Sequence, residues 1–243
     1  FSTPFDDTAV DFLEGLNVPA YKIASFENTD LALIRKVART GKPVIVSTGL
    51  ASLSEIDQAV TTMRDEGNEQ IVLLKCTSTY PADPADSHLR TIPHLRDAFD
   101  VQVGLSDHTP GIGVSLAATA FGASVIEKHF TLDRSEGGVD AAFSLEPNEM
   151  RMLVEEAQRA HSSLGAVHYG GSAGEQGSKQ FRRSLYVTKD LEPGDRLTTE
   201  NVRAIRPGYG LLAAEIDTIL GMSVVRKVSR GTPLSWNALR EDS

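Results

Sequence analysis

Short apolar runs alternate with amphipathic stretches over residues 1–165 of the chain. The apolar runs predict six short strands, at residues 1–3, 20–24, 43–47, 70–74, 101–105 and 124–127. The amphipathic stretches predict helices at residues 8–16, 31–40, 53–66, 89–99, 112–121 and 147–164. Apolar strands that alternate with helices are typical of a parallel sheet covered by helices.

Capping residues mark several of the predicted helix ends. Asp30 stands directly before the second helix, and Ser52 with Glu55 has the spacing of a capping box at the start of the third. Gly41 and Gly67 follow the second and third helices, where a left-handed residue commonly ends a helix. These signals support the predicted order of strands and helices.

The spacing of the strands, about 20–30 residues, predicts an α/β fold of the (β/α)8 TIM type. Such a barrel needs eight strands, so we expect this one to lack its first two to three strands. The chain opens with FSTPF at residues 1–5, without Met, as if inside a strand. The alternative is an open, doubly wound sheet of six strands.

The sequence changes character after residue 165. Residues 166–182 are rich in Gly, Ser and Gln, which is the composition of a linker. Residues 183–243 have short β-type runs and turns, and predict a small, mostly β domain of about 60 residues. We therefore expect a partial barrel at 1–165, a linker at 166–182 and a second domain at 183–243.

Composition and charge exclude several classes of function. The 243 residues are 40% hydrophobic and 23% charged, and the net charge is −9. An acidic chain is a poor match for nucleic acid or anionic membranes. Cys76 is the single cysteine, and we find neither a signal peptide nor an apolar run near the ~20 residues of a membrane span. We expect a cytoplasmic protein without nucleic-acid or membrane partners.

Two histidines follow neighbouring predicted strands. His108 comes shortly after the strand at 101–105, and His129 follows the strand at 124–127. The carboxyl ends of parallel strands form the catalytic mouth of an α/β barrel. Imidazole is a ligand for Mn, Fe and Zn, so the two rings are candidates for one metal site, with Asp107 and Glu127 as partners that orient them. A purely structural, hydrogen-bonded histidine is the alternative for each.

Polar side chains also lie near the ends of the predicted strands. Lys22 lies within an apolar strand, where an ammonium group is costly unless it faces an anion or a carboxylate. Lys75 ends another strand. Hydroxyl groups occur at the same level, on Thr3, Ser25, Ser47, Thr48, Thr77, Ser78 and Ser106. Together they predict a donor-rich mouth suited to a phosphate and a carboxylate, although each single hydroxyl is also compatible with an ordinary loop.

The remaining candidate residues are less specific. Glu27 and Asp140 are candidate acid–base groups or acceptors for sugar hydroxyls. Tyr80 is a candidate pocket residue, and Arg206 is a candidate ligand contact in the second domain. Cys76 has no base near it in the sequence, so we expect a buried structural residue. Dinucleotide and P-loop fingerprints are missing from the sequence.

Several motifs resemble the sialic acid synthase family. These are LSDHT at 105–109, IEKHFT at 126–131 and IRPGYG at 205–210, accompanied by STPF at 2–5, YKIAS at 21–25 and LKCTSTYP at 74–81. The resemblance implies a barrel followed by an antifreeze-like (SAF) domain. It also implies condensation of phosphoenolpyruvate with an acetamido sugar to form a nonulosonic acid. AAFSLEP at 141–147, FRRSL at 181–185 and RPGYGL at 206–211 are most similar to the pseudaminic acid branch.

The resemblance also assigns roles to single residues. It implies that His108 and His129 hold a divalent metal, most often Mn2+, with Mg2+ or Co2+ as alternatives. It implies contact with phosphoenolpyruvate for Lys22, Thr3, Ser25, Ser78 and Ser106, and contact with the sugar for Glu27, Tyr80 and Asp140. Lys22, Glu27 and His129 are the expected catalytic residues. The sialate branch has Asn where this chain has Ser78, so that assignment departs from the family pattern.

Arg206 matches an arginine that the antifreeze-like domain inserts into the active site of the other subunit. The resemblance therefore implies a domain-swapped homodimer. The expected reaction forms pseudaminic acid and phosphate from phosphoenolpyruvate and a 2,4-diacetamido-2,4,6-trideoxy hexose, with metal assistance and C–O cleavage. Two alternatives stay open: an N-acetylneuraminate or legionaminate synthase, and a non-catalytic fragment that retains a SAF module for sugar binding or dimerisation.

Overall fold

A computed structural model of the chain describes residues 1–240. Its first unit, Phe1–Ala166, contains a sheet of five parallel strands that follow one another in chain order. The strands are β1 (Tyr21–Ile23), β2 (Val44–Ser47), β3 (Ile71–Cys76), β4 (Gln102–Asp107) and β5 (Val125–Lys128). A doubly wound sheet would require the strand order to reverse at one point, and the order of β1 to β5 has no such reversal.

Helices occupy the segments before, between and after the strands. They are α1 (Asp7–Gly15), α2 (Leu31–Ala38), α3 (Leu53–Asp65), α4 (Thr91–Phe99), α5 (Gly113–Ala120) and α6 (Pro147–Leu164). The predicted caps are present: the Asp30 side chain accepts from the third residue of α2, and Ser52 with Glu55 forms a capping box. Gly41 and Gly67 have φ angles of 68° and 79°, a region that disfavours other residues.

The two faces of the sheet differ in chemistry. Ile23, Val46, Leu73 and Val103 lie in one register row, are buried and belong to the core that the helices cover. Side chains alternate between faces along a strand. Cys76 and Ser106 lie three residues beyond Leu73 and Val103 on the same strands, so their side chains point to the other face. Glu127 pairs with Ser106 and lies beside them on that face. We call the first the helix face and the second the inner face.

The sheet curves into a half-barrel. β1 and β5 are its two edge strands, yet Lys22 of β1 and Glu127 of β5 form an ion pair across the inner face, with Nζ and Oε2 3.6 Å apart. In a flat sheet, strands four positions apart are separated by about 19 Å. The α/β half-barrel confirms the predicted fold class.

The predicted strand at residues 1–3 is wrong in extent. Of residues 1–3, only Ser2 pairs with β1. It does so through an isolated parallel bridge to Tyr21 and a hydrogen bond of 3.1 Å from Lys22 N to Ser2 O. Pro4 has no N–H with which to extend the ladder, and Phe1 is 69% exposed, so pairing stops after one residue.

The second unit begins at residue 167. A 3₁₀ segment, Ala173–Phe181, lies within the stretch predicted as a linker. Two antiparallel pairs follow, β6 (Ser184–Val187) with β7 (Val202–Ile205) and β8 (Ser223–Val224) with β9 (Leu239–Arg240), and a short helix, α7 (Ile216–Ile219), precedes β8. This unit has its own apolar core, formed by Leu185, Val187, Leu191, Leu197, Val202, Ile219, Val224, Val228, Leu234, Ala238 and Leu239.

Within residues 1–240, each helix is too short or too polar to cross a membrane.

Candidate active site

The two histidines meet at the carboxyl end of the half-barrel. His108 follows β4 and His129 follows β5, and their ring centroids are 5.2 Å apart in an edge-on arrangement. His108 Nδ1 lies 2.8 Å from the Thr77 carbonyl oxygen. A carbonyl only accepts hydrogen bonds, so Nδ1 carries the proton and Nε2 of the neutral ring is free to act as a ligand.

Aromatic rings enclose the pair. The Tyr80 ring centroid is 4.2 Å from that of His108 and 5.9 Å from that of His129. Phe143 lies 5.0 Å from His129. The predicted pocket residue Tyr80 therefore contacts both imidazoles while 43% of its surface stays exposed.

The surroundings shift the pKa values of the two rings in opposite directions. Burial lowers the pKa of His129, and the neighbouring His108 lowers it further, so the ring is neutral near pH 7. Burial also lowers the pKa of His108, but contacts with Cys76 Sγ and the Thr77 carbonyl oxygen outweigh it, and the net shift is upward. A neutral imidazole is the form that binds metal.

Asp140 comes to the same site from the loop after β5. Its Oδ2 lies 3.7 Å from His129 Nδ1. Its carbonyl oxygen accepts a hydrogen bond of 2.9 Å from Ser144 Oγ, and Leu145 N donates to His129 O at 2.8 Å. These bonds return the loop to β5 and keep the Asp140 carboxylate beside the imidazole.

Lys22 lies at the base of the inner face with only 6% of its surface exposed. Its Nζ donates to Ser47 Oγ at 2.7 Å and to Ile23 O at 3.2 Å. Glu127 accepts from Ser106 Oγ at 2.6 Å and is the ion-pair partner of Lys22. The distance of 3.6 Å between Lys22 Nζ and Glu127 Oε2 is longer than that of a charge-assisted hydrogen bond. The ammonium group can therefore still donate a hydrogen bond to an anionic ligand.

Two further serines line the inner face around Cys76. Ser25 Oγ lies 3.3 Å from Cys76 Sγ and accepts from Gly49 N at 3.1 Å, and Ser78 Oγ lies 3.6 Å from the same sulfur. A Cβ at Gly49 would collide with both hydroxyl oxygens. The side chains need glycine at this point because they converge on its backbone.

The sequence has no base near Cys76, but the fold brings one close to it. His108 Nδ1 lies 4.0 Å from Cys76 Sγ, although the two residues are far apart in the sequence. Burial raises the pKa of the thiol, but contacts with His108, Ser25 and Ser78 outweigh burial and lower the pKa to about 7. The residue is nevertheless 4% exposed, so its burial is as expected.

Glu27 and Thr3 lie on the segments that flank β1. Glu27 ends the 3₁₀ turn Ser25–Glu27, and its Oε2 is buried without a hydrogen-bond partner among the described residues. A buried carboxylate oxygen of this kind is available to a ligand. Thr3 is half-buried and follows the bridge from Ser2 to β1.

The Asp107 and Glu127 carboxylates bond to residues other than the two histidines, so the prediction that they orient the imidazoles is wrong as far as direct contact is concerned. Glu127 hydrogen-bonds Ser106 on the inner face, and Asp107 lies in the last register row, on the helix face, opposite Lys128. Lys75 also belongs to the helix face and donates to Cys76 O and Thr77 Oγ1. Every second residue of a strand points to the same face, so the spacing of two residues between Glu127 and His129 is the sequence feature that predicts them on one face.

His108 and His129 are the residues of this site that could hold a metal ion. Among residues 1–240, groups of three or more His, Cys, Asp or Glu arranged for a metal are not found. A metal ion held here would have the two imidazoles as its nitrogen donors, with its other positions left to water or substrate oxygens. The free Nε2 of His108 and the neutral state of His129 are consistent with that role.

Arg206 belongs to the second unit. It directly follows β7 and is exposed. Its loop is fastened by hydrogen bonds from Ser184 Oγ to Pro207 O at 2.8 Å and from Gly210 N to Ser184 Oγ at 2.9 Å. The arginine is therefore presented by a fixed loop.

Comparison with protein families and curated proteins gives consistent results. Residues 1–169 match the model of the NeuB family, and residues 182–240 match the SAF domain. The chain is 42% identical over 236 residues to a pseudaminic acid synthase of Helicobacter pylori, covering 97% of this chain and 69% of that protein. It is 41% identical over 223 residues to an N,N'-diacetyllegionaminic acid synthase of Campylobacter jejuni, covering 90% and 67%.

Solved structures agree with the sequence comparisons. A spore coat polysaccharide biosynthesis protein of Bacillus subtilis is similar, with a TM-score of 0.65 and 32% sequence identity. The similarity covers 100% of this chain and 74% of that one.

Proposed function

The chain belongs to the NeuB family of sialic and nonulosonic acid synthases, and on that premise we propose that it forms pseudaminic acid and phosphate. The substrates are phosphoenolpyruvate, water and a 2,4-diacetamido-2,4,6-trideoxy hexose. The observation that carries the proposal is the convergence on one face of two imidazoles, Lys22 and three serine hydroxyls. That set can hold a phosphate and a carboxylate beside a polarised aldehyde.

In this proposal the inner face holds phosphoenolpyruvate. Lys22 offsets the negative charge of the substrate, and the Ser25, Ser78 and Ser106 hydroxyls donate to its oxygens. The substrate reaches Lys22 from the open side of the Lys22–Glu127 pair, whose Glu127 side chain is 39% exposed. Thr3 is assigned to the same ligand by the family pattern.

The remaining residues hold the open-chain sugar. A divalent metal at His108 and His129, most often Mn2+ with Mg2+ or Co2+ as alternatives, supplies Lewis-acid polarisation of the aldehyde oxygen when bound. Asp140 and Tyr80 orient the sugar end that reacts. Carbon 3 of phosphoenolpyruvate then bonds to the aldehyde carbon as the C=O π bond opens, and the aldehyde oxygen takes a proton from solvent to become a hydroxyl. A water molecule adds to carbon 2.

Phosphate leaves with the electron pair of its C–O bond to carbon 2, and the new hydroxyl at carbon 2 loses its proton to the departing phosphate and becomes the keto group of the acid. We assign the proton released by the attacking water to Glu27, because its Oε2 is buried and free of other partners.

The sugar specificity is tested by a product assay with the intact gene product. The enzyme is incubated with phosphoenolpyruvate, Mn2+ and each of the acetamido sugars that lead to pseudaminate, legionaminate and N-acetylneuraminate. We expect the highest kcat/KM with the pseudaminate precursor. Preference for the legionaminate precursor would overturn the sugar assignment in favour of the second candidate, for which the 41% identity to a legionaminic acid synthase is the supporting observation.

Arg206 is proposed to complete the site of a second subunit in a domain-swapped homodimer. Mixing His108→Ala subunits with Arg206→Ala subunits tests this, since one site of each mixed dimer then holds both residues intact. We expect the mixture to recover activity that neither variant has alone. A mixture as inactive as its components would contradict the arrangement.

A further inference from the structure

A second charged pair lies on the opposite face of the strands that carry the histidines. Asp107 ends β4 and Lys128 ends β5, and the two are register partners. Lys128 Nζ is 3.0 Å from Asp107 Oδ2, and each side chain is 1% exposed. This pair is therefore far more buried than the Lys22–Glu127 pair on the inner face.

The pair is the centre of a network of hydrogen bonds. Asp107 Oδ1 accepts from Thr109 N at 2.8 Å and from Thr109 Oγ1 at 2.7 Å, and Oδ2 accepts from Ser115 Oγ at 2.6 Å. Lys128 Nζ also donates to the Thr109 carbonyl oxygen. The network joins the end of β4, the following loop, the first turn of α5 and the end of β5.

Two apolar residues at these positions would stabilise the fold about as well as a buried ion pair does. Removing two charges from water costs as much as their attraction returns, and apolar replacements of buried ion pairs are often neutral or stabilising. Fixed geometry is the property that an apolar pair would not reproduce. Here the geometry concerns two backbone positions, because each member directly precedes one of the histidines.

We propose that Asp107 and Lys128 are a positioning pair that fixes His108 and His129 relative to each other. A planar peptide bond joins Asp107 to His108 and Lys128 to His129, so holding one residue sets the direction of the next. The role as support for a metal site rests on the proposed function. The fixed ring geometry itself does not.

The variant that separates positioning from stability is the double substitution Asp107→Leu with Lys128→Met. It removes both charges, whereas Lys128→Met alone leaves a buried carboxylate without its cation and endangers folding. Lys42→Met is the matched control, since Lys42 also pairs with a carboxylate, Glu14 at 2.6 Å, just before β2 and outside the site.

Two readouts are taken on the folded proteins. In the metal-free state, 15N–1H correlation spectra of the imidazoles report the tautomer of His108, assigned with a His108→Asn sample. We expect the Nδ1-protonated form in the wild type and in Lys42→Met, and a mixture of tautomers in the double variant. Titration with Mn2+ is expected to give about 10–100-fold weaker binding by the double variant, the usual effect of losing support behind metal ligands.

An unchanged His108 tautomer together with unchanged Mn2+ affinity in a folded double variant would overturn the positioning role. A wild type that binds no Mn2+ would overturn the metal assignment in the proposed function. The tautomer comparison would still decide the positioning role, so the two failures are distinguishable.

Discussion

Lys22 and Glu127 lie on the two edge strands of the sheet, and yet Lys22 Nζ is 3.6 Å from Glu127 Oε2. Their contact requires the curvature of the half-barrel. It places the buried cation opposite the strand end that carries His129. The curvature of the half-barrel therefore brings the Lys22 cation to the part of the inner face that precedes His129.

Replacing the Lys22 cation is expected to weaken binding of phosphoenolpyruvate. Lys22→Met keeps most of the buried stem and removes the charge, and the loss of charge-assisted bonds predicts an increase of about 10–100-fold in the dissociation constant. Calorimetric titration with phosphoenolpyruvate measures it. Lys42→Met, at the Glu14 pair, is expected to bind like the wild type. Equal affinity in Lys22→Met would contradict the phosphate role.

Mn2+ affinity is expected to rise as the pH increases through and above about 6.5, the ordinary pKa of histidine. The pKa of His108 is raised, because its contacts with Cys76 and Thr77 outweigh the opposite effect of burial. The ring therefore stays protonated to higher pH, and protonated imidazole does not bind metal. The affinity is lost as pH falls through that raised pKa.

The contact with Cys76 gives this pH dependence a specific test. Cys76→Ala removes a contact that raises the pKa of His108, so the midpoint of Mn2+ binding is expected to move to lower pH. Titrations that follow free Mn2+ by its paramagnetic resonance signal, repeated at several pH values, report the midpoint. A midpoint that stays in place or moves to higher pH would argue against the assignment.

An alanine at Gly49 is expected to affect the site and spare the fold. The added Cβ meets the hydroxyl oxygens of Ser25 and Ser78, which are side-chain ends that can rotate away. The displaced hydroxyls no longer face the substrate, so KM for phosphoenolpyruvate rises by about 10-fold, as for one lost hydrogen bond. The thermal midpoint stays close to that of the wild type.

Two other glycines serve as comparisons for Gly49→Ala. Gly15 has open space around its missing Cβ, so Gly15→Ala is expected to leave KM unchanged. A Cβ at Gly104 meets the backbone carbonyl of Val125 and the Leu74 side chain, so Gly104→Ala is expected to lower the thermal midpoint. Should Gly49→Ala lower the midpoint as Gly104→Ala does, the selective effect would be refuted.

The sequence alone predicts the elements and the histidine pair because those depend on local patterns. Apolar periodicity and capping residues such as Asp30 and Ser52 identify helices and strands. The order of parallel strands then brings their carboxyl ends, with His108 and His129, to one edge.

Other features depend on which strands pair and how the sheet curves. The contact of His108 with Cys76 and the pairing of Asp107 with Lys128 need the register of neighbouring strands. The Lys22–Glu127 pair needs the curvature as well. Local pattern does not specify register or curvature, so the sequence predicts neither Glu127 as a partner of Lys22 nor the network on the helix face.

In the proposed condensation, phosphoenolpyruvate loses phosphate by C–O cleavage. This step is tested with phosphoenolpyruvate labelled with 18O in the bridge between carbon 2 and phosphorus, using the intact gene product, Mn2+ and the pseudaminate precursor. We expect inorganic phosphate to carry the label and to be released one-for-one with pseudaminic acid. Label in the keto acid, or phosphate release without a sugar acid product, would contradict it.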